Sequence, residues 1–247
     1  MTSVKIIIRL SVLAILTLFS CTKSSVTPST STVPDVYKKI YGVTDVYVDG
    51  DYIVIKSTGL PDHKSPYYQS TQWSNLYEAY NGTNANWSQN PNKISSFTYT
   101  FKIPKNPAVA SSHAATPLGA IGVSLNGVPF YNQYAGPNQP LTNEINSFDQ
   151  YDGHPQQQGA YHYHAEPFYL TAQKGESSLL GFLLDGFPVY GPFENGTAIS
   201  NSNLDAYHGH TAATADYPSG IYHYHTTSAA PYINGNGFYG TPGTVSQ

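Results

Sequence analysis

Gly159-Ala160-Tyr161-His162-Tyr163-His164 is answered further along the chain by Gly220-Ile221-Tyr222-His223-Tyr224-His225. In a β-strand, side chains two positions apart point the same way, with Cα atoms about 6.5 Å apart. Each stretch therefore puts two imidazoles on one face of a strand and two phenol rings on the other. Two further pairs of blocks precede them in the same order. Gly122-Val-Ser-Leu-Asn-Gly-Val-Pro-Phe-Tyr131 matches Gly181-Phe-Leu-Leu-Asp-Gly-Phe-Pro-Val-Tyr190, and Asp149-Gln-Tyr-Asp-Gly-His154 matches Asp205-Ala-Tyr-His-Gly-His210. The offsets are 59, 56 and 61 residues. Three matches in one order imply an internal duplication. The reading is an all-β, β-rich fold with long loops: a single compact domain whose halves, 121–170 and 180–240, are related by a pseudo-twofold.

Strand signals continue on the N-terminal side, over 34–120. Asp45 to Lys56 carries β-branched and aromatic residues on both sides of Asp49-Gly50, a hairpin signal because the central turn residues need positive φ. Phe97 to Ile103 alternates and ends at Pro104, while the Asn- and Ser-rich stretch Asn75 to Asn92 reads as loop. Inside the repeats, Asn126-Gly127 and Asp185-Gly186 read as tight turns, with Pro129 and Pro188 ending the pairing.

The chain opens differently. Lys5 and Arg9 precede a short apolar run from Leu10 to Phe19, which fits a signal peptide over 1–20 better than a membrane span. Leu18-Phe19-Ser20-Cys21 resembles a bacterial lipobox, so Cys21 is the expected lipidation site; the plain alternative is a secretory signal with an incidental cysteine. Cys21 is the only cysteine, which rules out an intramolecular disulfide. The Ser/Thr/Pro-rich stretch to residue 33 reads as a tether, leaving 34–247 as the folded domain. The expected location is the cell envelope, lipid-anchored at the outer membrane on its periplasmic or surface face.

Only 11% of residues are charged, against roughly a quarter in ordinary domains, and tyrosine supplies 22. Arg9 is the sole arginine, so the guanidinium forks that grip phosphate are missing and nucleic acid is not an expected partner. Beyond Lys105 the only basic residue is Lys174, against nine carboxylates: Glu144, Asp149, Asp152, Glu166, Glu176, Asp185, Glu194, Asp205 and Asp216. Such a field draws cations.

Seven of the nine histidines fall in the repeated blocks: His154, His162, His164, His208, His210, His223 and His225. Imidazoles two apart on a strand can converge on one ion, since metal–nitrogen bonds are about 2 Å. His162 with His164 and His223 with His225 are the ligand pairs, and His154 and His210 can join them from turn-like Gly-His contexts. Two arrangements stay open: one shared site using the four strand histidines, or one site of three histidines per repeat. Imidazole ligation suits copper or zinc, whereas calcium and magnesium want clustered oxygens. Asp149, Asp185 and Asp205 recur at the blocks, either orienting imidazoles or, for Asp149 and Asp205, as direct ligands. The plain reading of a lone His-x-His is a pair of half-buried histidines bonded to backbone; repetition in register favours metal.

These motifs, together with Gly59-Leu60-Pro61-Asp62-His63-Lys64-Ser65-Pro66 and Gly153 to His164, resemble the YHYH-domain family over about Tyr41 to Gly240. The resemblance implies no settled reaction. It does draw attention to His63, since a Pro-x-His segment belongs to the family pattern. Many relatives carry a cysteine where Tyr207 stands here and another near the C-terminal end; both are absent from this chain. His208 stands where relatives often have a different polar residue and is not counted as a ligand. His113 receives no role.

Three functions compete. The first is a transition-metal-binding envelope protein holding copper or zinc, with the metal ion and the membrane as its indicated partners and no protein partner suggested. The second is a copper oxidase or zinc hydrolase, with Glu166 or Asp185 as candidate general base. The third is a carbohydrate or surface interaction module using Trp73, Trp87, Tyr232 and Tyr239 as platforms with structural histidines, a reading that gains if the four strand histidines lie apart and bond to backbone.

Overall fold

The computed structural model describes Met1 and residues 32–247. The expectations for the signal peptide, Cys21 and most of the tether fall outside the described residues. Residues 32–247 belong to one compact unit. No helix among the described residues is long and apolar enough to cross a membrane.

The N-terminal part holds β1 (Asp45–Asp49), β2 (Tyr52–Ser57) and β3 (Tyr99–Pro104). The first repeat holds β4 (Ala120–Ser124), β5 (Pro129–Tyr131), β6 (Tyr134–Ala135), β7 (Gln139–Pro140), β8 (Gly153–Pro155) and β9 (Tyr161–Tyr163). The one α-helix among the described residues, α1 (Phe168–Lys174), leads to the second repeat. That repeat holds β10 (Leu179–Leu183), β11 (Pro188–Tyr190), β12 (Phe193–Glu194), β13 (Thr197–Ala198), β14 (Gly209–Ala212) and β15 (Ile221–His225). The last strand, β16 (Thr244–Ser246), returns to pair with β3.

The first hairpin forms one residue later than the sequence reading places it. Asp49 pairs with Tyr52, so the central residues are Gly50 and Asp51, and of these Gly50 takes the positive φ of 60°. That matches a turn with glycine at its first central position. The prolines also act differently from expectation. Pro129 and Pro188 begin β5 and β11, opposite Val123 and Phe182, rather than ending the pairing. The first residue of a strand is a place where a missing N–H costs no ladder bond.

Strands β1-β2-β3-β16 form a four-stranded sheet, and the larger sheet runs β14-β15-β11-β10-β4-β5-β9-β8. Its order is symmetric about the central β10–β4 pair. Working outward, β11 corresponds to β5, β15 to β9 and β14 to β8. The repeats meet where Phe182 stands opposite Val123, and both glycines that open the Gly-x-x-x-Asn/Asp-Gly blocks lie at this seam. A Cβ at Gly122 would sit 2.5 Å from the Phe182 carbonyl oxygen, and one at Gly181 2.3 Å from that of Val123. One hydrophobic core joins the two sheets: Ile53, Ile55 and Phe101 share it with Val123, Phe182 and Tyr224. The sheet edges, β8–β9 at one side and β14–β15 at the other, carry the histidines.

Candidate metal centres

Cross-strand pairing brings the third histidine of each repeat to the other two. β8 and β9 run antiparallel with His154 opposite His162, and β14 and β15 do so with His210 opposite His223. Directly opposite residues on an antiparallel pair share a face, so the Gly-His segment reaches the ligand pair by sheet pairing rather than by a bend. In the first repeat, Nε2 of His162 lies 3.1 Å from Nε2 of His154 and 2.9 Å from Nε2 of His164. In the second, Nε2 of His210 lies 3.1 Å from Nε2 of His223 and 3.2 Å from Nε2 of His225.

The other ring nitrogens decide the tautomers. Nδ1 of His162 faces the Ala160 carbonyl at 3.0 Å, and Nδ1 of His164 that of Asn132 at 2.5 Å. Nδ1 of His223 faces Ile221 O at 3.0 Å, and Nδ1 of His225 faces Gly191 O at 2.7 Å. A carbonyl only accepts, so each Nδ1 carries the proton and each neutral Nε2 presents a bare lone pair. Burial keeps these rings neutral, holding His164 and His225 down at about 4, His162 well below its ordinary value and His223 below it. His154 donates Nδ1–H to Ser147 Oγ at 2.7 Å, because the Ser147 hydroxyl proton is given to Glu144 O at 2.7 Å.

A glutamate completes each group. Glu144 Oε1 lies 3.2 Å from His154 Nε2 and 4.0 Å from His164 Nε2. Glu194 approaches with both oxygens, Oε1 at 3.3 Å from His223 and Oε2 at 3.5 Å from His210. Burial acts to raise the Glu144 carboxyl, but His154 and His164 outweigh it and hold the group below its usual value. Glu194 Oε1 is buried and receives no hydrogen bond. All four donor atoms of each group lie within 4.8 Å of one another. A tetrahedral ion with bonds of about 2.0–2.1 Å separates its donors by about 3.3 Å. The lone pairs of His154, His162 and His164 in the first group, and of His223, His225 and Glu194 in the second, repel one another unless a cation lies between them, so the donor sets fit a transition metal.

The two groups do not merge. β9 and β15 are separated by β5, β4, β10 and β11, about 24 Å at ordinary strand spacing. The shared four-histidine site is therefore not what the chain builds; each repeat keeps its own three histidines. A cleft of about 310 Å³ adjoins the first group, touching Glu144, His162, His164 and Tyr131. One of about 260 Å³ adjoins the second, touching Glu194, His223, His225 and Tyr190.

The opposite faces of β9 and β15 hold the tyrosines, and the recurrent aspartates are there instead of beside the imidazoles. Tyr161 donates to Asp149 at 2.8 Å and Tyr222 to Asp205 at 2.9 Å. Asp149 also accepts from the Tyr151 and Gly153 amides, and Asp205 from those of Tyr207 and Gly209, closing the turn before each Gly-His pair. Neither aspartate reaches a histidine cluster, which corrects the expectation that they ligate or orient imidazoles. Asp185 is likewise held by the Tyr224 hydroxyl and by the amides of Phe187 and Gly240. Burial pushes its carboxyl up to about 6 against those donors, but it faces the core side and lines neither of the two clefts.

His63 is on the tyrosine side too. Its Nδ1 faces Lys64 O at 3.1 Å and its Nε2 accepts from the Tyr163 hydroxyl at 3.0 Å. Glu166 belongs to neither cluster; burial raises it, with Thr171 and Glu176 as its neighbours. His208 pairs with Thr227 Oγ1 at 3.0 Å, and His113 with Phe238 O at 3.0 Å. The aromatic platforms are half-buried and packed on neighbours: Trp87 stacks on Tyr80 at 4.3 Å, Tyr239 on Tyr222 at 3.5 Å, and Trp73 and Tyr232 pack against the core.

Sequence reasoning singles out neither Glu144 nor Glu194. They are not equivalent in the repeat: Glu194 ends β12, whereas Ala135 holds the matching place in β6, and Glu144 lies in a short 3-10 turn, Glu144–Ser147, beyond β7. The only available signal is their presence among the carboxylates of the acidic half.

Comparison with known proteins agrees with the motifs. A family model described as YHYH protein matches residues 100–201 and 192–237. No curated protein and no solved structure matches the chain.

Proposed function

The chain belongs to the YHYH protein family, and from that premise we propose that it is a transition-metal-binding protein of the cell envelope. Each repeat holds one copper or zinc ion through three imidazoles and a glutamate, and Cys21 carries the lipid that tethers the domain to the outer membrane. The observation that carries the reading is the convergence of Nε2 atoms in each repeat, those of His154, His162, His164, His223 and His225 having their protons fixed on Nδ1. At 2.9–3.1 Å the Nε2 atoms of the first repeat have no hydrogen bond to share, and in the second the buried Glu194 Oε1 receives none.

Mass spectrometry of metal in the purified full chain tests it, beside a variant with His162, His164, His223 and His225 changed to Ala. About two equivalents of copper or zinc, lost in the variant, are expected. A chain that carries none, takes up none from solution and melts unchanged with either ion sinks the proposal.

The clefts support a second reading, a metal-dependent enzyme. With the glutamate displaced by water, three histidines would leave an open position of the kind catalytic zinc uses. Glu144 or Glu194 would then be the nearby base, in place of Glu166 and Asp185. Zinc-dependent hydrolysis of 4-nitrophenyl acetate, lost in Glu144→Gln or Glu194→Gln while zinc stays bound, would favour this reading over simple sequestration.

A further inference from the structure

The two centres share their strands but secure one ligand differently. His154 and His210 occupy equivalent places. The ring of His154 is tied through Ser147 to the turn that also supplies Glu144, with Phe148 packed against it at 4.8 Å. Its side chain is 3% exposed. His210 is 25% exposed, and its Nδ1 has no hydrogen-bond partner among the described residues. The rings that pack on His210 are those of its fellow ligands His223 and His225. The corresponding turn, Asn201–Asn203, sends no side chain to it. Asn201 instead bonds Thr227 at 3.0 Å and the Ala230 carbonyl at 2.6 Å.

We infer that the centres divide the work: the first retains its ion, and the second exchanges its ion with an external chelating ligand, His210 being the ligand that lets go. This rests on the metal reading above. A ring fixed through its second nitrogen returns to the ion whenever its bond breaks, because its orientation is kept. A ring without that anchor, facing water on one side, turns away when the bond breaks, and the competing donor has time to bind. The exchange is a ligand substitution. The bond from the ion to His210 Nε2 breaks, a bond to an incoming nitrogen or oxygen donor forms, and no electron moves. The cleft touching Glu194, His223 and His225 gives that donor its approach.

The test is release of zinc from the full chain, loaded with two equivalents and mixed with excess 4-(2-pyridylazo)resorcinol. Two phases of one equivalent each are expected, the faster at least tenfold faster. His210→Ala should either load a single equivalent or release its second one faster still, and should leave the slow phase unchanged. Ser147→Ala should still load two equivalents but speed the slow phase tenfold or more, since loss of a partner that orients a ligand typically weakens metal binding 10- to 100-fold. Release of both equivalents at one rate, a fast phase whose rate His210→Ala leaves unchanged, or a slow phase indifferent to Ser147→Ala overturns the inference while leaving the metal reading standing. A chain that takes up no zinc overturns both.

Discussion

Tyr163 and Tyr224 stand at equivalent places, yet their hydroxyls serve opposite neighbours. Tyr163 accepts from Asn126 at 3.2 Å and donates to His63, whereas Tyr224 accepts from the Tyr239 amide at 2.8 Å and donates to Asp185 at 2.6 Å. Asn126 and Asp185 are themselves equivalent, so each repeat solves the burial of the same hydroxyl with its own acceptor. Asp185→Ala leaves the Tyr224 hydroxyl and two amides without an acceptor, and should destabilise the chain by about 3 kcal/mol. Asp185→Asn retains an acceptor oxygen and should cost less than half as much. Urea unfolding of both variants checks the order; equal losses would mean that the carboxamide cannot take over the site.

The buried histidines make the metal-free chain acid-sensitive. His164, His208 and His225 are held near 4 by burial, against an ordinary value of 6.5. Between those values the unfolded chain binds protons that the folded chain refuses, so stability falls as pH drops from 6.5 toward 4. Each proton excluded contributes roughly 1.4 kcal/mol per pH unit. Asp185, raised to about 6, and Asp152, raised to about 7, act in the opposite sense over part of the same window but are fewer. Thermal melts of the metal-free chain should therefore fall steadily from pH 6.5 to 4. The double variant His164→Ala His225→Ala should show a shallower fall, and bound metal should leave over the same range.

Removing either glutamate should affect one centre alone. Glu144→Gln is expected to weaken binding at the first centre at least tenfold and leave the second unchanged; Glu194→Gln should do the reverse. Their effects should add in the double variant, because sites several strands apart with no shared partner couple weakly. Metal titration of the three variants reads this directly. Loss of both ions on a single substitution would mean that the centres communicate.

The histidines and their in-register repetition are legible in the sequence because a strand has a period of two, and the Gly-His blocks because they recur in the same order in both repeats. Three features are not legible there. The glutamates come from a hairpin in one repeat and a 3-10 turn in the other, so aligning the repeats cannot match them. The side on which Asp149, Asp185 and Asp205 act depends on the tyrosines, whose phenol hydroxyls compete with the imidazoles for the same carboxylates. The number of centres depends on strand order: β5, β4, β10 and β11 lie between the pairs, and motif spacing along the chain carries no information about that.

The glycine of each Gly-His pair gives the last prediction. Gly153 lies opposite Tyr163, next to the cross-strand pair of His154 and His162, and Gly209 lies opposite Tyr224. A Cβ at Gly153 would come within 2.3 Å of the Tyr161 hydroxyl, and one at Gly209 within 2.5 Å of that of Tyr222. The phenol rings thus fill the space that a side chain would need, on the face opposite the ligands. Gly153→Ala must push Tyr161 aside, which breaks its bond to Asp149 and loosens the turn that Asp149 closes through the Tyr151 and Gly153 amides. That turn sets the register of β8, and register sets where His154 points. The variant should lose the first ion while keeping the second, with a drop in stability of about 2 kcal/mol, within the range for overpacking. Adding Tyr161→Phe should recover little of the stability, since the ring carbons Cζ and Cε1 would still lie 2.4 and 2.5 Å from the added Cβ, and it cannot restore the Asp149 bond. Metal content and melts of the single and double variants give the answer. Full retention of both ions in Gly153→Ala would show that the tyrosine face does not position the histidine face.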